Sequence, residues 1–279
     1  MIRIKQEYND VVSSVNEEAK KRARAGAPEG TVIVAGFQRR GQTHSGQLWY
    51  TTVGEGVNAS VILRPDCDDS ELYLIGMAAA MATQRAIAGL YRLEKNISWP
   101  DDIYGDGKKL GEIQIDYEND ASGQVEYAVI SIYINVHMKE FPAEIADSAT
   151  SIDLLLDAAV EELGEKYDEI MTSDTLTFGR SVRGVEFPRR GSCRALAERI
   201  LQEFTYMYEI YKVSGSLALF LDEYNKCLLQ RNKEVEYDTE DGKVKGYARG
   251  IDEKGNLLVE IGDGVDIKSV EVPESRWMK

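Results

Sequence analysis

The chain has 279 residues, 43% of them hydrophobic, and 48 acidic against 33 basic side chains for a formal net charge of -15. That length can bury a large core, as one large domain or a large one with a small appendage. The acidic balance argues against broad contact with nucleic acid or anionic membrane, since both are gained mainly by neutralising phosphates with Lys and Arg. It leaves room for a nucleotide site, which needs only a few local cations. No window approaches ~18 consecutive apolar residues and the N-terminus has no apolar leader core, so the expected location is the cytoplasm. Cys67, Cys193 and Cys227 are odd in number and widely spaced, fitting neither a disulfide framework nor a zinc site; they read as reduced thiols.

In chain order, 16–25 ("NEEAKKRARA") is rich in helix formers and is preceded by the N-cap types Ser13, Ser14 and Asn16, predicting a first helix. "GTVIVAGF" and "VNASVILRP" predict buried strands, the second stopping at Pro65. Between them lies "RGQTHSGQLW", a glycine-bearing loop with one of the two histidines. The Ala-, Met- and Leu-rich run 70–90 predicts a long, mostly buried helix. "GEIQIDYE" and "VEYAVISIYINV" read as strands, the latter alternating like a sheet with one covered face. Amphipathic helices are expected over 151–171 and 192–213, joined by an aperiodic, arginine-bearing loop over 172–191. After Gln230, short strands separated by Asp-Gly and Lys-Gly turns predict a small β-barrel. The sum is an α+β chain of two domains, 1–229 and 230–279, with a mixed, mostly antiparallel sheet flanked by helices.

Ordered segments of this chain resemble the biotin-protein ligase family, within the biotin and lipoate ligase superfamily. "SSVNEEAKKRA" is similar to that family's SSTN-plus-helix opening, and "AGFQRRGQTHSGQLW" aligns without a gap on its adenylate loop, Q-x-x-G-R-G-R-x-G-R-x-W. "WPDDIYGDGKKLGEI" resembles W-P-N-D-(L/I)-Y-x-x-x-x-K-L-x-G-I, and "ISIYINV" resembles G-x-G-I-N. "FPAEIADSATS" and the C-terminal "VKGYARGIDEKGNLLVE" also match. The resemblance covers nearly the whole chain apart from an insertion at about 172–191. It implies a catalytic fold like that of class II aminoacyl-tRNA synthetases followed by an SH3-like barrel.

It also implies a reaction: ATP with Mg2+ activates biotin or a related small carboxylic acid to an acyl-adenylate, and the acyl group passes to a lysine of an acidic carrier-protein domain. The resemblance makes Lys109 the cation that stabilises charge at the α-phosphate. It assigns Ser14, Asn16, Gln38, Gly41 and Trp49 to the acid site, with Glu112, Ser131 and Tyr133 at its wall, and Asn135 and Arg249 to the nucleotide side. Ser14 and Asn16 fit a helix cap equally well. Trp99 is most simply core.

The departures matter as much. Gln42, His44 and Gln47 stand where the family has arginines, and Thr43 replaces a glycine. A charge-assisted hydrogen bond is worth about 1.5 to 3 kcal/mol, so losing two costs about two to four powers of ten. Arg39 and Arg40 lie nearby and could re-arm the loop, although the sequence favours their pointing into solvent. Ser131 and Tyr133 replace the glycines that leave room for the acyl chain, and Glu112 sets a carboxylate near a carboxylate substrate. Val15 and Asp101 replace a Thr and an Asn. His44 could stand in for arginine or act as a base, but has no local Cys, Asp or second His and reads as a plain loop residue. No metal set is expected, because the spacing of His44 and His137 supports none.

These residues leave three expectations open: biotin-type ligation, a catalytically weak member kept as a binding or regulatory module, and an adenylating ligase for another acid. No N-terminal DNA-binding domain is read in the chain, a homodimer through sheet edges is plausible, and the insertion could lend Arg180, Arg183, Arg189 or Arg190 to the site.

Overall fold

In a computed structural model, residues 2–93, 96–159, 161, 181–182, 185–186, 191–239, 242–262, 266–271 and 277–278 are described. The strands in chain order are β1 (Lys5–Val12), β2 (Thr31–Gln38), β3 (Gly56–Leu63), β4 (Asn96–Ser98), β5 (Asp102–Gly105), β6 (Lys108–Asn119) and β7 (Val125–Asn135). They form one sheet in the order β1-β2-β3-β7-β6-β5-β4, antiparallel except for the β1–β2 pair. The α+β expectation holds, and the sheet is mixed.

Helix α1 (Val15–Arg24) begins where Ser14 Oγ accepts from the Glu17 N–H at 3.3 Å, with Glu17 and Glu18 in its first turn complementing the helix dipole. It buries Val15, Asn16, Ala19 and Ala23, one face at helical spacing, against the sheet. Helix α2 (Leu72–Tyr91) covers the opposite face, where Ala, Met and Leu leave most of its length buried. A helix over 152–159 (α3) follows β7; of its predicted length 161 is also helical, and 160 and 162–171 lie outside the described residues. Helix α4 (Cys193–Ser214), capped by Ser192, and the short α5 (Leu221–Cys227) complete that layer.

Alternation along the central strands divides the interior. Ala128, Ile130, Ile132 and Ile134 of β7 join Val57, Ala59, Val61 and Leu63 of β3 in the large core under α2 and α4. The intervening Tyr127, Val129 and Tyr133 face α1 with Val15, Ala19, Ile33, Trp49 and Ile62. The expectation of one covered face on β7 is therefore corrected: both faces are buried, because α1 lies across the second. Strands β1, β4 and β5 were not visible in the sequence. The first is a polar edge strand, which needs only a backbone partner, and the other two are three and four residues long.

The C-terminal strands β10 (Glu234–Thr239), β11 (Gly242–Ile251), β12 (Leu257–Ile261) and β13 (Asp266–Val270) form a four-stranded antiparallel sheet. Trp99 anchors it: the indole N–H donates to the Gly255 carbonyl at 2.9 Å and the ring meets Tyr237 edge-on. Within the 172–191 insertion the described residues are Gly191 and the pair β8 (Ser181–Val182) and β9 (Val185–Glu186); Arg180, Arg183, Arg189 and Arg190 lie outside the described residues. The remaining strand, β14 (Trp277–Met278), pairs in parallel with β6.

Candidate functional site

Several of the residues singled out from sequence meet at one end of the sheet, on the α1 side. The loop after β2 folds back on itself: Trp49 N–H donates to Gly41 O at 2.8 Å, Thr43 N–H to Gln47 O at 2.8 Å, and Gln42 bridges Leu48. Gly41 has a local reason to be glycine, since a Cβ there would fall 2.2 Å from Gln38 Nε2. Gln38 is thereby kept in place, accepting from the Val15 N–H at 3.3 Å and donating to Asn58 Oδ1 at 3.1 Å. We expect Gly41→Ala to expel this side chain and to cost about 1 to 3 kcal/mol, read as a lower urea midpoint at unchanged denaturant slope.

Below the loop, the α1-facing residues of β3, β6 and β7 build a buried polar row. Asn16 Nδ2 donates to both Asp116 Oδ2 and Ser131 Oγ at 2.9 Å, and the Ser60 and Ser131 hydroxyls are 2.7 Å apart. Lys20 Nζ reaches Asp116 Oδ1 at 3.1 Å and Gln114 Nε2 reaches its Oδ2 at 3.0 Å. Burial pushes the Asp116 carboxyl above its ordinary value, outweighing the opposing pull of Lys20 and Asn16. Asn16 is thus tied into the sheet, whereas Ser14 is the helix cap.

Tyr133 is fully buried in this layer, and its ring stacks on Trp49 with centroids 5.8 Å apart. Its cross-strand neighbours are Glu112 on β6 and Asn58 on β3, so the tyrosine and the glutamate stand side by side. Among the described residues, Trp49 Nε1, the Tyr133 hydroxyl and Asn135 Oδ1 are buried here without a hydrogen-bond partner. Asn135 does donate from Nδ2 to the Thr150 carbonyl at 3.1 Å.

The charged centre lies beside them. Lys109 is fixed through its backbone, donating to Ser148 O at 2.7 Å and accepting from Thr150 N at 2.9 Å. Its ammonium donates to Glu112 Oε2 and lies 3.3 Å from Asp102 Oδ2. The other Glu112 oxygen accepts from the His44 N–H, with His44 Nδ1 at 3.1 Å. Burial alone would raise the Glu112 carboxyl, but the His44 hydrogen bonds and the Lys109 charge outweigh it and pull it down to about 2. Desolvation likewise opposes the charge on Lys109, and Asp102 with Glu112 reverses that, holding the ammonium above its ordinary value.

From sequence His44 reads as a plain loop residue; the fold sets it against Glu112, 68 residues away, and with Asp102 brings three side chains of metal-ligand type within 4.8 Å. No local spacing could have found this set, because it draws on a loop and two strands. Other expected residues stand apart. The Arg39 and Arg40 side chains are exposed while their backbone N–H groups bond to Val12 and Ser13. Gln42 and Gln47 are also exposed. Arg249 pairs with Glu260 at 2.7 Å and Asn232 at 2.9 Å, partners that belong to the small sheet and the segment entering it.

With this geometry in hand, the chain can be set beside known proteins. Residues 8–169 match the model of the biotin/lipoate A/B protein ligase family, and residues 232–272 match that of the biotin protein ligase C-terminal domain. The bifunctional ligase/repressor BirA of Bacillus subtilis is 30% identical over 260 residues, covering 92% of this chain and 70% of the relative. Among solved structures, the biotin protein ligase of Aquifex aeolicus in complex with biotin and ATP superposes with a TM-score of 0.70 at 21% identity, covering 96% of this chain and 95% of that one. The Leishmania major enzyme in complex with biotinyl-5-AMP gives 0.56 at 19% identity, covering 96% and 98%. The two structures share the fold. The family match spanning more than half of the chain, together with the Bacillus relative, establishes that this chain belongs to the biotin/lipoate A/B protein ligase family.

Proposed function

We propose that this chain is a ligase-class protein with little or no biotin-adenylating activity, its acid site rebuilt as a closed, internally paired interior, and that it serves chiefly as a binding module. One observation carries this reading: the Lys109 ammonium, which would have to meet a phosphate, is held between Asp102 and the fully buried Glu112. A triphosphate does not fit this arrangement. The ammonium is already engaged by two carboxylates, and an incoming phosphate would have to compete with both for it. The loop positions that would offset it are Gln42, His44 and Gln47, and the Arg39 and Arg40 side chains are exposed. Tyr133 and Trp49 fill space that a valeryl chain would need.

The division proposed is a ligase-like domain over 1–229 and a small β-domain over 230–279. A carrier-protein domain is the proposed partner and the cytoplasm the proposed location; a small-acid ligand, where one binds, is shorter than biotin. Among the described residues no helix is long and apolar enough to cross a membrane.

The proposal is tested by pyrophosphate exchange with ATP, Mg2+ and biotin. The expected result is exchange at least about a hundredfold below that of an arginine-loop ligase run in parallel. Exchange within tenfold of that reference would show that other groups replace the missing charge.

A second reading, adenylation of a different acid, is favoured by the buried, unpartnered Trp49 Nε1 and Asn135 Oδ1. Such atoms cost about 1 to 3 kcal/mol each unless a ligand or water completes them. An exchange screen over small carboxylic acids decides between the readings: signal with a short acid and none with biotin supports the second, and silence throughout supports the first.

A further inference from the structure

The sheet ends at β1, and there a groove of about 920 Å³ opens between that strand and α4. Its walls include Ile2, Ile4, Leu201, Ile210, Val213 and Leu219. Val213 is 90% exposed and Leu219 77%, so the groove keeps apolar surface in water that a partner could cover. The charged side chains in its lining, among the described residues, are Glu198 and Glu209, both acidic.

The backbone supplies a second, independent feature. Lys5 N–H donates to Gly30 O at 2.8 Å and so faces β2. Alternation along the strand turns the main-chain groups of Gln6 and Tyr8 the other way, to the outer edge, where the sheet has no further strand among the described residues. The Ile4 and Gln6 side chains lie in the groove. A strand laid along this edge would therefore place every second side chain of its own over the same walls.

We propose that β1 and α4 form a docking site for an extended segment of another protein, added as a strand along the β1 edge, with apolar side chains at alternate positions and a Lys or Arg beside Glu198 or Glu209. Main-chain pairing to Gln6 and Tyr8 supplies affinity, and the groove reads the side chains. A docked helix would fill the groove but leave those outward main-chain groups unpaired. Charge decides between a foreign segment and a second copy. The acidic lining favours a basic segment, whereas a copy of this chain, with its formal charge of -15, would set acidic lining against acidic lining. The groove lies on the α4 side of the sheet, away from the Lys109 cluster on the α1 side, so this site stands whether or not the chain adenylates an acid.

The test uses the full chain and a fluorescein-labelled synthetic peptide of about six residues, a usual strand length, alternating Val or Leu with Thr and carrying one Lys. A matched peptide has Glu in place of the Lys. The expected result is a saturable anisotropy change with the lysine peptide, at least about tenfold weaker with the glutamate peptide. Amide exchange at Gln6 and Tyr8 should slow in the complex, which a side-chain contact alone does not produce. Gln6→Pro removes one outward N–H while leaving the bonds to β2 in place, and should weaken binding by about tenfold. Glu198→Lys should weaken the lysine peptide and tighten the glutamate peptide, and this reversal decides the matter should Gln6→Pro fail to fold. No saturable binding, equal affinity for the two peptides, or unchanged exchange at Gln6 and Tyr8 would overturn the proposal. So would a concentration-dependent dimer in sedimentation that Gln6→Pro dissolves, since a second copy would then be the occupant.

Discussion

Tyr133→Gly is expected to turn a chain that binds biotin weakly into one with calorimetrically measurable affinity, and to cost it about 3 to 5 kcal/mol of stability. Both effects have the same cause. Tyr133 is completely buried between α1 and the sheet and stacks on Trp49, so its loss opens a ring-sized cavity lined by Trp49, Asn58 and Glu112. The empty cavity lacks the contacts of the deleted ring, and a ligand that fills it recovers part of them. The stability loss is read from urea unfolding and the affinity from titration with biotin under conditions where the variant is folded. Unchanged biotin affinity in a folded Tyr133→Gly protein would show that the side chain is not what closes the slot.

The second large effect is expected from Glu112→Gln. Removing the Glu112 charge leaves Lys109 with Asp102 as its carboxylate partner and weakens the charge-assisted hydrogen bonds from Lys109 and His44, at a cost of about 1.5 to 3 kcal/mol near neutral pH. Loosening of the loop between Gly41 and Trp49 should accompany it as faster amide exchange at His44. The pH dependence has a definite sign. Glu112 titrates near 2 in the folded chain, below the ordinary glutamate value of 4.5. Its stabilisation is therefore fully present above about pH 4.5 and is lost as pH falls towards 2. Lys109 is raised, so its share is present below its ordinary 10.5 and is lost at higher pH. The stability gap between the wild-type chain and Glu112→Gln should accordingly narrow as pH is lowered from 4.5 towards 2. A gap constant across that window would mean that Glu112 is not the ionised partner of this cluster.

The two variants probe neighbouring residues on paired strands, and their effects need not add. Glu112 and Tyr133 are direct cross-strand partners, so the double variant is expected to show coupling of about 0.5 kcal/mol or more. The stacking of Tyr133 on Trp49 extends that coupling to the loop, which closes at Trp49 through its bond to Gly41.

Much of the fold was legible in the sequence because local rules decide it. The Ser14 cap and the alanine-rich face of α1, the apolar length of α2, and the turn residues spacing β10 to β12 each act over a few residues. Strand β1 was not legible: its exposed, polar side chains carry no pattern, and its place is set by backbone pairing to β2 across α1. The second covered face of β7 escaped for a related reason, since the groups that cover Ser131 come from Asn16 on α1 and Ser60 on β3, far away in the chain.

The same division runs through the site. By itself the sequence carried the resemblance to the family, through Gln38, Gly41, Trp49 and Lys109 at motif spacing, and the expectation that Gln42, His44 and Gln47 stand where the family has arginines. Tertiary structure alone decided what the replacements do. Glu112 read from sequence as a carboxylate crowding a substrate; in the fold it is the shared partner of Lys109 and of His44, 68 residues away. A charge's meaning depends on its distance to other charges and on how much water is excluded around them, and neither is written along the chain.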